Sequence, residues 1–420
     1  MGDSGTLLLR ARVVVPIGRA PIENGAVAIR KGRLMGVGQW SSLRKRHSGD
    51  CHDLGEAALM PGLVNAHCHL DYTEMAGLFP PQRSFTDWIK LITTEKAHWT
   101  YSDFAQSWVA GAKMLLRSGT TTVADIEAIP ELLPDVWDAT PLRVISFLEM
   151  TGVKSRRQPE LILREAVAKI DSLRHDRCSA ALSPHAPYST PPALLRASAT
   201  LARRQRLRIT THVAESASEF KMFSHARGEM FDWLERNQRD MGDCGRWSPV
   251  RQLAQQRALG RHLLAIHANY LGKGDVALLA RSRTNVVHCP RSHDYFGHDA
   301  FPFAALARAG VNICLGTDSL ATVRKHPKRD LELSLFHETR KFAEKHPDVP
   351  PQTILRMATA NGARALGLHG QVGELRRGAC ADLIVLPFSG RTEQVADAMV
   401  HHAGDVTGSM IGGEWFIAPK

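Results

Sequence analysis

The feature that most limits how this chain can fold is a series of eight short strand-like segments separated by stretches of helical character. The segments are residues 63–67, 120–124, 142–148, 179–183, 207–213, 263–267, 285–288 and 311–315. They are rich in apolar and β-branched residues, which favours strands. Residues 105–117, 160–173, 192–206, 276–280 and 303–309 have helical spacing instead. Ser118-Gly119 and Gly310 supply stop signals, and Pro192 stands at a helix start, where proline is tolerated. Repeated βα units in this number predict an α/β fold with an eight-stranded parallel (β/α)8 TIM-like barrel. An open, doubly wound sheet shares the alternation. No glycine-rich dinucleotide or phosphate-loop signature supports it.

The two chain ends read differently. Residues 7–15, 26–29 and 34–37 are strand-like and are punctuated by Asn24-Gly25 and Lys31-Gly32-Arg33. Residues 381–386 and 406–417 repeat the pattern, with Gly412-Gly413 at a turn. The expectation is a small β-sandwich domain built from residues 1–60 and 369–420, flanking a catalytic barrel at 61–368. No low-complexity linker separates the blocks.

Bulk properties exclude several classes. In 420 residues, 44% are hydrophobic and 23% charged, which permits a large core and argues against disorder. No stretch approaches the ~20 apolar residues of a membrane helix. The start, Met1-Gly2-Asp3-Ser4-Gly5, lacks the basic and apolar regions of a secretory leader. The net charge of +11 is scattered, and its densest run is Arg203, Arg204, Arg206 and Arg208. Without a clustered basic face, no nucleic-acid partner is expected. Seven cysteines without a CxxC pair argue against a disulfide framework and for a reducing cytoplasm.

Chemistry in a parallel barrel sits at the C-terminal strand ends. The first segment ends in His67-Cys68-His69. Strand alternation aims both imidazoles into one space and turns Cys68 away. Such a pair suits a divalent metal, although an isolated His-X-His is weak evidence. Other strand ends supply His185, His212 with Glu215, His267, His288 with His293, and Asp318. This concentration of ligating and acid–base side chains is what chance does not readily produce.

Several motifs then resemble the amidohydrolase superfamily, and within it the cytosine deaminase and chlorohydrolase-like branch. They are Pro61-Gly62-Leu63-Val64-Asn65-Ala66-His67-Cys68-His69, Thr211-His212-Val213-Ala214-Glu215, His267 and Leu315-Gly316-Thr317-Asp318-Ser319. Residues 357–367 and 372–386 also resemble it. The resemblance implies one divalent metal, zinc or iron(II), held by His67, His69, His212 and Asp318. Binuclear relatives use a lysine on the fourth strand; residues 179–188 contain none, so a single ion is expected. Glu215 would shuttle a proton, His267 would bond the attacking oxygen, and Asp318 would share in proton transfer.

The resemblance also implies that His185 contacts substrate. Phe85 and Trp88 are candidates to stack on a base. Arg291, with Tyr295-Phe296-Gly297-His298, resembles the aminodeoxyfutalosine deaminases of menaquinone biosynthesis. Its planar guanidinium would pair with that substrate's benzoate. The expected activity is metal-dependent hydrolytic deamination of an aminated purine nucleoside or related heterocycle, with aminodeoxyfutalosine the candidate substrate. Alternatives are adenosine, S-adenosylhomocysteine or guanine deamination, and chlorohydrolase or cyclic-amide hydrolase chemistry with the same metal. The expected partners are a small-molecule substrate and, by the resemblance, a second copy in a homodimer; neither nucleic acid nor membrane is expected. His288, His293 and His298 receive no role.

Overall fold

The computed structural model describes residues 5–80, 82, 84–152, 157–325 and 331–419. Residues 1–4, which carried most of the leader reading, lie outside them. Eight parallel strands pair in chain order, from Leu63–Cys68 through Thr120–Glu127, Arg143–Met150, Ser179–Pro184, Ile209–Val213, Leu263–His267 and Asn285–His288 to Ile313–Leu315. All eight expected segments are strands of this one sheet. The ring closes where the last strand runs past the first. Thr317 and Asp318 donate their backbone N–H groups to His67 O at 2.9 and 3.2 Å, and His69 N donates to Asp318 O at 3.3 Å.

Alternation decides which side chains fill the barrel. Ala124, Ile126, Ile145, Phe147, Ala181, Leu264, Ile266 and Val287 share the interior cluster. Their neighbours point outward: Val123 and Val144 pack with the helix residues Trp108 and Leu115, and Ile209 and Ala265 pack with Leu195 and Ala199. Strands covered on both faces must be apolar throughout, which is why these segments read as near-continuous hydrophobic runs. Each large side chain so buried contributes roughly 1.5–3 kcal/mol.

The helix Tyr101–Arg117 shows how local signals place the outer layer. Thr100 accepts from Asp103 N, and the Asp103 carboxylate accepts from Thr100 N, closing a capping box. The helix ends at Ser118-Gly119. Gly119 has φ of 84°, and a Cβ there would lie 2.8 Å from Val406 Cγ1, so only glycine permits both the turn and the close approach of the C-terminal segment.

Both chain ends build one continuous mixed sheet. Ala57–Pro61 runs antiparallel to Leu383–Pro387, which brings the two ends together, and Ala57–Pro61 also pairs with Thr6–Val14. The sheet continues on one side through Ile22–Arg30 to Arg33–Gln39, and on the other to Gly408–Ile411 and Glu414–Ile417. Arg143, at the base of the third barrel strand, makes a bidentate contact with the buried Asp382 at 2.6 and 3.2 Å. That ion pair fixes the small sheet against the barrel.

Helices beyond the sequence reading lie in the loops around the barrel mouth, among them Phe85–Lys96, Ala217–His225 and Glu229–Arg236. The first two start at serine caps, with Ser84 accepting from Asp87 N and Ser216 from Glu219 N. Among the described residues, no helix is long and apolar enough to cross a membrane.

Candidate active site

The C-terminal strand ends converge on one cluster. Nitrogen atoms of His67, His69 and His212 lie within 4.8 Å of one another, and so do ligand atoms of Glu215, His267 and Asp318. Asp318 Oδ1 is 3.5 Å from His67 Nε2 and 3.7 Å from His69 Nε2. His69 Nε2 and His212 Nε2 are 3.4 Å apart. Glu215 Oε1 lies 3.4 Å from His267 Nε2.

The backbone aims these groups. A bulge interrupts the pairing of the first strand with the second between Asn65 and Cys68. It accompanies the turn of both histidines into the mouth, while Cys68 packs among the outer helices. His267 continues a strand whose Leu263 and Ala265 face outward. Its φ of 72° breaks that alternation, and its ring lines the mouth. Ala214 and Asp318 are likewise left-handed, at 52° and 54°. Such backbone costs roughly 1–2 kcal/mol per residue and collects at functional sites.

Hydrogen bonds behind the cluster hold it in place. His212 Nδ1 lies 3.0 Å from the His185 carbonyl. Donation there leaves Nε2 free to face the other rings. Asn65 Nδ2 donates to Thr317 Oγ1 at 2.8 Å, and Thr317 N donates back to Asn65 Oδ1 at 3.1 Å. This reciprocal pair joins the loop carrying Asp318 to the strand carrying His67. The buried Glu219 carboxylate accepts from Ala214 N at 3.0 Å and Glu215 N at 2.8 Å, fixing the left-handed turn that presents Glu215.

Electrostatics divides the cluster into neutral and anionic ligands. Burial, reinforced by His67, lowers His69 to about 3. Burial also holds His212 well below the ordinary imidazole value. Burial pushes Asp318 up, but the close contact with His67 at 3.5 Å and the surrounding imidazoles outweigh it, so its carboxyl stays well below the usual range. Neutral imidazoles beside an ionised carboxylate are the donor set a divalent cation requires. Both ring nitrogens of His67 and Nδ1 of His69 are buried without hydrogen-bond partners. A cation would occupy such unmatched lone pairs, and the donor set fits one. Burial drives Glu215 well above the ordinary carboxyl value, with Asp318 adding to it.

A cavity of about 330 Å³ opens above the cluster. His185, Phe85 and Trp88 all line it. Phe85 and Trp88 stack with centroids 5.9 Å apart, and Phe296 meets each edge-on. His185 Nδ1 lies 2.5 Å from Ser189 Oγ. Arg291 does not line this cavity. Its Nε lies 3.6 Å from Glu338 Oε1, and its Nη1 donates to Glu332 O at 2.8 Å. Glu338 is fully buried and its contact with the guanidinium lies outside this cavity, so the structure does not bring Arg291 together with the other expected substrate contacts. His288, His293 and His298 line a separate cavity. The wall groups Tyr72, Lys96, Glu149 and Tyr188 were not anticipated. Glu149 was accessible to reasoning, since Ile145, Phe147 and Glu149 alternate along one strand face.

The chain matches the Amidohydrolase family over residues 58–416. It belongs to that family and is a hydrolase of carbon–nitrogen bonds. A 5-methylthioadenosine/S-adenosylhomocysteine deaminase of Syntrophobacter fumaroxidans is 30% identical over 408 residues, covering 92% of this chain and 86% of that protein. A 5'-deoxyadenosine deaminase of Methanoregula boonei is 30% identical over 381 residues, covering 86% and 78%. A zinc-bound adenosine deaminase from Xanthomonas campestris superposes with a TM-score of 0.83 at 27% identity, covering 97% and 92%. The Helicobacter pylori aminofutalosine deaminase shares the fold, with a TM-score of 0.86 at 21% identity over 98% and 100% of the two chains.

Proposed function

We propose that this protein is a metal-dependent hydrolytic deaminase of an adenine-type nucleoside. The observation that carries the reading is the juxtaposition of two groups of side chains on one cavity floor. His67, His69, His212 and Asp318 form a cation-binding set, and Glu215 and His267 stand beside it. The names of the relatives at 30% identity add support, since both describe deaminases of adenine nucleosides. Zinc is the ion we favour, because three imidazoles and one carboxylate leave it an open position.

When bound, a divalent cation supplies Lewis acidity that makes water nucleophilic near neutral pH. The protein's own groups do the rest. Phe85 and Trp88 stack against the planar base, and His185 contacts it from the fourth strand. Glu215 takes a proton from the water and delivers it to a ring nitrogen next to the amino-bearing carbon. His267 Nε2 steadies the oxygen that adds to that carbon. Asp318 relays a second proton to the departing amine. The C–N bond breaks, ammonia leaves and a ring carbonyl remains.

The substrate is a nucleoside such as 5'-methylthioadenosine, S-adenosylhomocysteine, 5'-deoxyadenosine or adenosine. Aminodeoxyfutalosine stays in the panel, without Arg291 as its carboxylate partner. The test is ammonia release from zinc-loaded protein with each nucleoside, alongside guanine and a chlorotriazine. Ammonia from at least one nucleoside is expected. Chloride release without any nucleoside deamination would overturn the reading.

A further inference from the structure

Glu149 is the penultimate residue of the third barrel strand, two residues beyond Phe147 on the interior face. Its carboxylate lines the active-site cavity together with Lys96, Tyr72 and Thr151. It forms no hydrogen bond or ion pair with another described residue. Lys96, the last residue of the helix Phe85–Lys96, donates to the Tyr72 hydroxyl. Its ammonium also lies 4.7 Å from the centre of the Tyr72 ring. That ring stacks on His69 with centroids 5.1 Å apart and planes 9° from parallel. One wall of the cavity therefore runs from His69 through Tyr72 to an ammonium, with a carboxylate facing the same space.

The two charges do not touch: more than 4 Å separates them, since no ion pair joins them within that distance. Burial of Glu149 favours the protonated form, but the nearby charge of Lys96 opposes it, and its carboxyl lies below the ordinary value. A carboxylate acceptor and an ammonium donor that line one cavity without pairing to each other leave room for a group that donates to one and accepts from the other. A hydroxyl does both. A carboxylate has two oxygens and accepts from two adjacent hydroxyls at once.

We propose that Glu149, assisted by Lys96, is the site that recognises the vicinal 2'- and 3'-hydroxyls of the substrate's pentose. The inference rests on the nucleoside reading above and adds to it a requirement for ribose. Each hydroxyl donates its proton to one Glu149 oxygen, and one of them accepts from Lys96. A free base or a dideoxynucleoside leaves a desolvated carboxylate unmatched, and that loss is the source of discrimination.

The experiment compares kcat/KM for adenosine with 2',3'-dideoxyadenosine, and for the same pair lacking the 5'-hydroxyl. Each pair is assayed with the zinc-loaded wild type, Glu149→Gln and Lys96→Met. The wild type should favour the ribonucleoside by roughly 10- to 100-fold, the value of hydrogen bonds to a charged group. In Glu149→Gln the ratio should collapse towards one, mainly by loss on the ribonucleoside; Lys96→Met should narrow it less. A wild-type ratio near one overturns the proposal. So does an equal loss on both substrates in Glu149→Gln, the signature of a structural or water-bridged ion pair. If Glu149→Gln does not melt cooperatively, the wild-type ratio and Lys96→Met decide. Ammonia from no nucleoside at all would instead refute the nucleoside reading.

Discussion

Replacing Glu219 by glutamine separates the proton-transfer machinery from the rest of the site. The wild-type carboxylate is fully buried, and burial raises it from 4.5 to about 7, against the pull of the N–H groups of Glu215 and Ala214. A carboxyl raised in the folded state holds a proton that the unfolded chain has lost. It therefore favours folding below its unfolded value and loses that advantage as pH climbs through the folded one. From about pH 4.5 to 8 this single group lowers wild-type stability by about 3 kcal/mol, since each tenfold change in proton affinity is worth about 1.4 kcal/mol. Glutamine does not titrate. It keeps one acceptor oxygen for the two N–H groups, so one loses its partner at a cost of about 1–3 kcal/mol. Urea unfolding at pH 5 and pH 8 should show the variant clearly less stable than wild type at the lower pH. The difference should shrink by about 2.5 kcal/mol, or reverse, at the higher. Because Glu219 holds the peptide of Glu215, kcat/KM for the best nucleoside should fall by roughly 10- to 100-fold, a scale set by misplacement of a catalytic group. Bound zinc should not change. A stability difference identical at the two pH values, or full activity, would overturn this role for Glu219.

Three further outcomes follow from the same geometry. Dialysis against a strong chelator should abolish ammonia release and lower the melting temperature, both restored by zinc; His212→Ala should lose the ion as measured by metal analysis. Asn65→Ala, which breaks the tie to Thr317, should weaken zinc affinity by roughly 10- to 100-fold, as loss of an outer hydrogen-bonding partner does; a chelator competition titration reads this. Arg291→Ala should leave KM for nucleosides unchanged and cost about 1–3 kcal/mol in chemical denaturation, because it removes a partner from the buried Glu338; a large rise in KM with unchanged stability would return Arg291 to the substrate.

The barrel was legible because strands buried on both faces leave apolar runs, and helix stops such as Ser118-Gly119 separate them. The cluster was legible because its members end those runs. What sequence hid was pairing across distance. Arg291 looked like a free cation because Glu338, its partner, follows 47 residues later. Glu219 reads as an ordinary first-turn helical acid, and only the fold brings it to the N–H groups of Ala214 and Glu215. Lys96 sits on a helix whose mean spacing gives no hint that its last residue reaches Tyr72. The left-handed turn at His267 was equally hidden, since alternation alone would send that ring outward.

The positive φ angles at Ala214, His267 and Asp318 limit how this site can change. Main-chain conformation screens each replacement before its chemistry is tried. At position 318 the left-handed turn admits asparagine and glycine readily, but resists β-branched side chains. At 267 it resists the same residues. New metal preferences or new reactions on this scaffold are therefore more accessible through the cavity walls, at positions such as 88, 149 and 233, than through the strand ends. The floor is restricted by its backbone geometry, and the walls are not.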